Sequence, residues 1–168
     1  MVFDNVEAGH LALNNQTSFP LLSELSGELL SLGYGVRFRA PGTSMHPTIR
    51  HGDVITIEPV ATAKLKRGDI ILYRLKSDFI AHRIVNIEER DGCGPTLILR
   101  GDASATCDAP VRQKQVLGKV VYLERDHQII DPYSLRVRLW SMLYLWIARL
   151  KRSVFRQWRN SECASTSN

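Results

Sequence analysis

Apolar residues recur first at helical spacing and then at strand spacing as the chain is read from its start. Leu21, Leu22, Leu25, Leu29, Leu30 and Leu32 fall three and four apart, the period that lines one face of an α-helix. Ser18-Phe19-Pro20 offers a start and Gly33-Tyr34-Gly35 a stop, so a short amphipathic helix is expected near residues 20–32. From residue 36 to about 131 the runs become short and β-rich: Val36–Ala40, Val54–Glu58, Ile70–Leu75, Phe79–Glu88, Thr96–Arg100, Val116–Glu124 and Gln128–Ile130. Turn residues punctuate them at Gly52-Asp53, Gly68-Asp69, Asp91-Gly92-Cys93-Gly94-Pro95 and Gly101-Asp102. Seven strands with no long helix between them predict a mainly β, antiparallel barrel or sandwich rather than a βαβ fold.

Two phrases, Gly52-Asp53-Val54-Ile55 and Gly68-Asp69-Ile70-Ile71, echo each other sixteen residues apart. Nothing else recurs, so two similar hairpin turns explain the echo better than a repeat. After Pro132 a second helical stripe begins, formed by Leu135, Leu139, Met142, Leu143, Trp146, Leu150, Val154 and Trp158. Its opposite face carries arginines. The expected organisation is a leader and short helix over 1–35, a β domain over 36–131, and a basic amphipathic helix with a polar tail over 132–168.

Composition changes this picture little. A chain of 168 residues, 44% hydrophobic and 23% charged, has the make-up of an ordinary globular protein, which excludes disorder and collagen-like repeats. Cys93, Cys107 and Cys163 form no CxxC pair and leave one cysteine over, which argues against a disulfide framework or a cysteine-rich zinc site. The net charge of +5 is uneven: residues 1–36 hold four acids and no base, whereas residues 134–160 hold seven bases and no acid. Such a basic end seeks phosphate or forms a solvated face. The N-terminus shows no basic segment followed by an apolar run, so no signal peptide is expected. The longest apolar stretch, Leu139–Ala148 with Ser141 inside it, is far short of the ~20 residues of a spanning helix. The expected location is cytoplasmic or peripheral to a membrane.

The chemistry lies in four stretches: Pro41-Gly42-Thr43-Ser44-Met45-His46-Pro47-Thr48-Ile49, Gly68-Asp69-Ile70-Ile71-Leu72-Tyr73, Ala81-His82-Arg83-Ile84-Val85 and Gly101-Asp102-Ala103-Ser104-Ala105-Thr106-Cys107-Asp108. In this order, over about residues 36–124, they resemble the signal peptidase I superfamily of serine proteases, which also holds the self-cleaving domains of SOS-type repressors. The resemblance implies a signal-peptidase-like antiparallel β domain and makes Ser44 the nucleophile. A serine hydroxyl needs a base, and the base position, a lysine in most bacterial members, here holds His82. That is similar to the endoplasmic-reticulum and archaeal variant. Strand alternation independently puts Ile80, His82 and Ile84 on one face, where apolar neighbours favour the neutral imidazole a general base requires. The competing reading is a core histidine satisfied by a hydrogen bond.

A histidine base needs an orienting acid. The family pattern places it six residues after the Asp of Gly-Asp, which selects Asp108, with Asp102 in reserve; either could instead be a turn aspartate capping its own backbone. The family often has a hydroxyl residue two before the nucleophile as an oxyanion donor, but this chain has Gly42 there. The backbone N–H of Ser44 or the Thr43 hydroxyl is left for that role, and losing one such donor costs roughly 2.7–4 kcal/mol of transition-state stabilisation. His10, His46, His51 and His127 lack metal-ligand spacing, and no metal or other cofactor is expected.

Three functional classes follow: a serine endopeptidase acting on an extended polypeptide, such as a signal peptide; a self-processing regulatory module, with Ala8-Gly9 as a candidate internal cleavage site; and a catalytically idle binding module. No helix-turn-helix precedes the domain, and no nucleic-acid partner is expected. The stripe at 135–158, with Trp140, Trp146, Trp158 and flanking arginines, resembles a helix lying in an anionic bilayer interface. Its alternatives are a protein partner or the protein's own core.

Overall fold

The computed structural model describes residues 18–76, 78–90, 94–144 and 146–147. Helix α1 spans Ser18–Ser31 and ends as its glycine demands. Gly33 takes φ 92°, and the N–H groups of Gly33 and Tyr34 return to the carbonyls of Leu30 and Leu29 at 3.1 and 2.9 Å. This pair of bonds satisfies the orphan carbonyls of the last turn.

Eight strands follow: β1 (Val36–Arg39), β2 (Val54–Glu58), β3 (Ile70–Leu75), β4 (Asp78–Arg90), β5 (Gly94–Arg100), β6 (Val111–Arg112), β7 (Val116–Arg125) and β8 (Gln128–Ile130). They form one antiparallel sheet in the order β1-β2-β7-β3-β4-β5-β6, with β8 also on β7. The fold is therefore mainly β, with a helix at each end. All seven expected strands are present: β2, β3 and β8 with the expected ends, β4, β5 and β7 reaching one or two residues past an expected end, and β1 one residue shorter. β6 is the addition; a two-residue strand is too short to show alternation. A last helix, α2, covers residues 135–144 and 146–147; the expected stripe beyond 147 lies outside the described residues.

The order of the strands matters for the site. β1-β2 is a local hairpin and β3-β4-β5-β6 a local meander, and the two meet only through β7, which sits between β2 and β3. β3 is consequently buried on both faces. Ile70 and Leu72 enter one core, with Leu30, Val36, Met45, Ile55, Ile57 and Val120. Ile71 and Tyr73 enter a second, with Leu65, Ile84, Leu97, Leu99 and Val111. This is why β3 reads as an unbroken apolar run rather than an alternating one.

The echo between the two Gly-Asp phrases proves to be one turn used twice. The N–H of Asp53 bonds to the Arg50 carbonyl and that of Asp69 to the Lys66 carbonyl, both at 3.1 Å. Gly52 and Gly68 take φ 89° and 97° at the third position, which only glycine adopts without strain. Each aspartate side chain also accepts the first residue's N–H, at 2.8 Å for Asp53 and 3.1 Å for Asp69. Both carboxylates are buried, and each is neutralised from β7: Arg125 bonds Asp53 at 2.6 and 3.0 Å, and Lys119 lies 2.8 Å from Asp69. β7 thus clamps the turn that enters β2 and the turn that enters β3.

Gly118 marks the tightest point of that clamp. A Cβ there would lie 2.6 Å from the Glu58 carbonyl oxygen and 2.7 Å from Ile57 Cγ2. Backbone and a packed branched side chain have little room to move, so Gly118→Ala should destabilise the protein by about 1–3 kcal/mol, as overpacking does. Urea unfolding of the variant beside the parent measures this; an unchanged midpoint would contradict the packing described.

Candidate active site

Ser44 lies on the long loop between β1 and β2. The loop is closed at its base by paired bonds, Ala40 N–H to the Asp53 carbonyl and Gly52 N–H to the Ala40 carbonyl, both 2.8 Å. Beyond Ser44 the chain turns inward, and Met45, Thr48 and Ile49 are all buried. His46-Pro47 is a cis peptide. With its successors anchored in the core, Ser44 itself is left exposed.

His82 comes from β4, opposite Ile71 in the β3–β4 register. It shares the sheet face of Ile80 and Ile84, as alternation predicts. Only 7% of it is exposed. Its Nε2 lies 2.9 Å from Ser44 Oγ and its Nδ1 2.5 Å from Asp108 Oδ2. Asp108 stands on the loop between β5 and β6, where its N–H bonds to the Leu99 carbonyl at 2.9 Å. Serine, histidine and carboxylate form one hydrogen-bonded row, open to solvent at the serine end. The histidine therefore bonds to the serine and the carboxylate, and is not a core histidine satisfied elsewhere.

Asp102 stands apart from the row. Arg83 grips its two oxygens at 2.8 and 2.7 Å, and the Thr48 hydroxyl donates to it at 2.5 Å. The same guanidinium donates to the Gly68 carbonyl at 2.9 Å. Burial works against the Arg83 cation, but the hydrogen bonds and charge of Asp102 outweigh it and hold the arginine's pKa above its ordinary value. Alternation separates the two roles: His82 and Arg83 are neighbours in sequence and point to opposite faces of β4. Sequence reasoning missed Arg83, although its place directly after His82, and a Gly-Asp turn in need of a cation, were both visible.

Other sequence candidates fall as follows. Thr43 is exposed beside Ser44, and its carbonyl accepts the His46 N–H at 3.0 Å. An added methyl at Gly42 would meet no atom. His51 bonds the Pro41 carbonyl through Nδ1 at 2.7 Å and so braces the serine loop. His10 and Ala8-Gly9 lie outside the described residues.

Helix α2 touches the site's flank. Ser141 is buried and lies 3.0 Å from the Thr48 hydroxyl, and the Tyr144 ring meets His46 edge-on at 4.8 Å. The apolar stripe faces away: Leu139, Met142 and Trp146 are each at least 60% exposed.

An antiparallel β domain that presents an exposed serine to a buried histidine and a half-buried carboxylate has the layout of a serine peptidase. The chain belongs to the Peptidase S24-like family, whose model matches residues 2–121. The match includes the serine loop, β4 and the loop carrying Asp108. A serine peptidase or self-cleaving domain acting on polypeptide is accordingly the general class. No curated protein matches the chain.

Gly101 is where the two loops of the site touch. A Cβ there would lie 2.6 Å from the Ser44 carbonyl oxygen and 3.0 Å from His82 Nε2, and the Ala103 N–H already bonds that same carbonyl at 2.9 Å. Gly101→Ala should push serine and histidine apart, and misplacement on the scale of 1 Å costs about 10²-fold in reactivity. The rate of fluorophosphonate labelling at Ser44 measures it. Equal labelling of variant and parent would show that the contact is not limiting.

Proposed function

We propose that the protein is a serine endopeptidase of the signal-peptidase type, in its histidine-base form, that cuts an extended polypeptide segment such as a signal peptide. The observation that carries this reading is the row Ser44–His82–Asp108. In the proposed reaction Ser44 Oγ attacks the scissile carbonyl while His82 Nε2 takes its proton. Asp108 holds Nδ1–H, fixing the tautomer and balancing the imidazolium that forms. The imidazolium then gives its proton to the leaving amine, and water, activated by the same imidazole, releases the acyl group from Ser44. The Ser44 N–H, with Thr43 beside it, is the proposed oxyanion donor. Asp102 is assigned to bracing the serine loop through Thr48.

The self-processing reading uses the same three residues on the chain's own N-terminal segment. The idle-module reading requires Ser44 to be unreactive, which the open approach to its hydroxyl argues against.

We place the enzyme at the surface of an anionic membrane. Among the described residues no helix is long and apolar enough to cross one. Leu135, Leu139, Trp140, Met142, Leu143 and Trp146 nevertheless leave a large apolar face uncovered on α2, well beyond the scattered exposure of ordinary surfaces. Arg136 and Arg138 accompany it, and the sequence continues with five more bases up to residue 159. An apolar face with basic flanks and no acid fits an anionic interface in both respects.

Ser44→Ala and His82→Ala should each abolish cleavage of secretory precursors and labelling by a fluorophosphonate, with Asp108→Asn reducing both less completely. The double variant of Ser44 and His82 should be no worse than either single one, because the residues act as a unit. Because a general base must start unprotonated, cleavage by the parent should fall on acidification; a rate indifferent to acid would remove His82 from the base role. Purified protein incubated alone tests self-processing.

For the membrane, the intact chain should sediment with anionic vesicles at low salt and be released as salt rises, since screening shortens to about 8 Å at physiological ionic strength. Leu139→Glu/Trp146→Glu should abolish the binding. Protein that stays in the supernatant at low salt would refute this placement.

A further inference from the structure

Tyr73 sits in the middle of β3 and is wholly buried. Around its ring lie Leu65, Ile71, Ile84, Leu97, Leu99 and Val111, an apolar wall in which a phenol hydroxyl must find an acceptor. The acceptor is Asp108 Oδ2 at 3.1 Å, the same oxygen that takes His82 Nδ1–H. The β3–β7 register shifts between Leu72 and Tyr73, an irregularity of the kind that re-aims a side chain.

We propose that Tyr73 is a positioning residue of the active site: its hydroxyl fixes the Asp108 oxygen that orients His82. This rests on the reading of Ser44, His82 and Asp108 as the catalytic row. Asp108 needs such a hold because it stands on a loop without regular structure, its side chain still 22% exposed. Tyr73 belongs to the most buried strand of the sheet and transmits that strand's fixity to the loop. Burial, and then the charge and hydrogen bond of Asp108, push the phenol's titration far above its ordinary range, so it remains a donor wherever the enzyme works.

Tyr73→Phe removes the donor and keeps the ring that fills the core. Its kcat/KM should fall about tenfold, through kcat and not KM, as expected for one bond to a charged group. With one donor gone, the carboxylate balances the imidazolium more strongly, and the acid limb of the rate profile should move to higher pH. In the NMR spectrum the His82 Nδ1 proton should shift. In an Asp108→Ala background the same substitution should have no further effect on rate, because Tyr73 acts through Asp108.

Equality of variant and parent in rate, pH profile and proton shift would overturn the proposal. A slower variant with an unmoved proton and an effect additive to Asp108→Ala would also overturn it, leaving Tyr73 a packing residue. Should the Phe variant fail to fold, 3-fluorotyrosine at position 73, a stronger donor of the same shape, must move the Nδ1 proton instead. If the parent neither cleaves nor labels, the peptidase reading falls, and the Nδ1 proton alone decides on Tyr73.

Discussion

The ion pair between Arg83 and Asp102 ties the loop after β5 to the serine loop through Thr48. Arg83 is on the central meander, Asp102 on the loop after β5, and Thr48, bonded to both, on the serine loop of the other hairpin. Ser141 extends the network to the last helix. Pairs of this kind add little net stability, because desolvation offsets much of their attraction, but breaking one by removing a single partner is costly. Their value here is register: two loops that must meet within hydrogen-bonding distance are keyed to one guanidinium. The same solution appears at Asp53 with Arg125 and at Asp69 with Lys119. Three Gly-Asp turns, each with its own half-buried cation, fix the loops between the strands.

Much of this was legible in the sequence. The strands were visible because alternation and turn residues act locally, and Ser44, His82 and Asp108 were visible because their motifs carry spacing. The partition between the two aspartates was harder. Asp102 and Asp108 lie on one loop, and only the face to which Arg83 points decides which carboxylate has a cation and which is left for histidine. Tyr73 was read merely as part of a strand, since its hydroxyl acquires meaning from a loop 35 residues away. β6 went unseen because two residues have no period, and the central place of β7 because strand order is set by packing across the whole chain.

Helix α2 shows a similar division between pattern and placement. Its amphipathic stripe is plain in sequence, yet the face it turns to the body is the small and polar one. Ser141 and Tyr144 make the contacts, while leucines and tryptophans point outward. Among the described residues, these contacts leave the apolar side of the helix exposed.

The position of β7 has a consequence for how the protein is born. Ser44 belongs to the hairpin made first, and His82 and Asp108 to the meander made next, but the strand that joins the two is synthesised after all three. A nascent chain can form each unit from local contacts as it emerges, since loop closure within a hairpin is quick. The sheet that holds both units closes only when residues 116–125 have been made and have inserted between them. Late, non-local pairing of this sort slows folding.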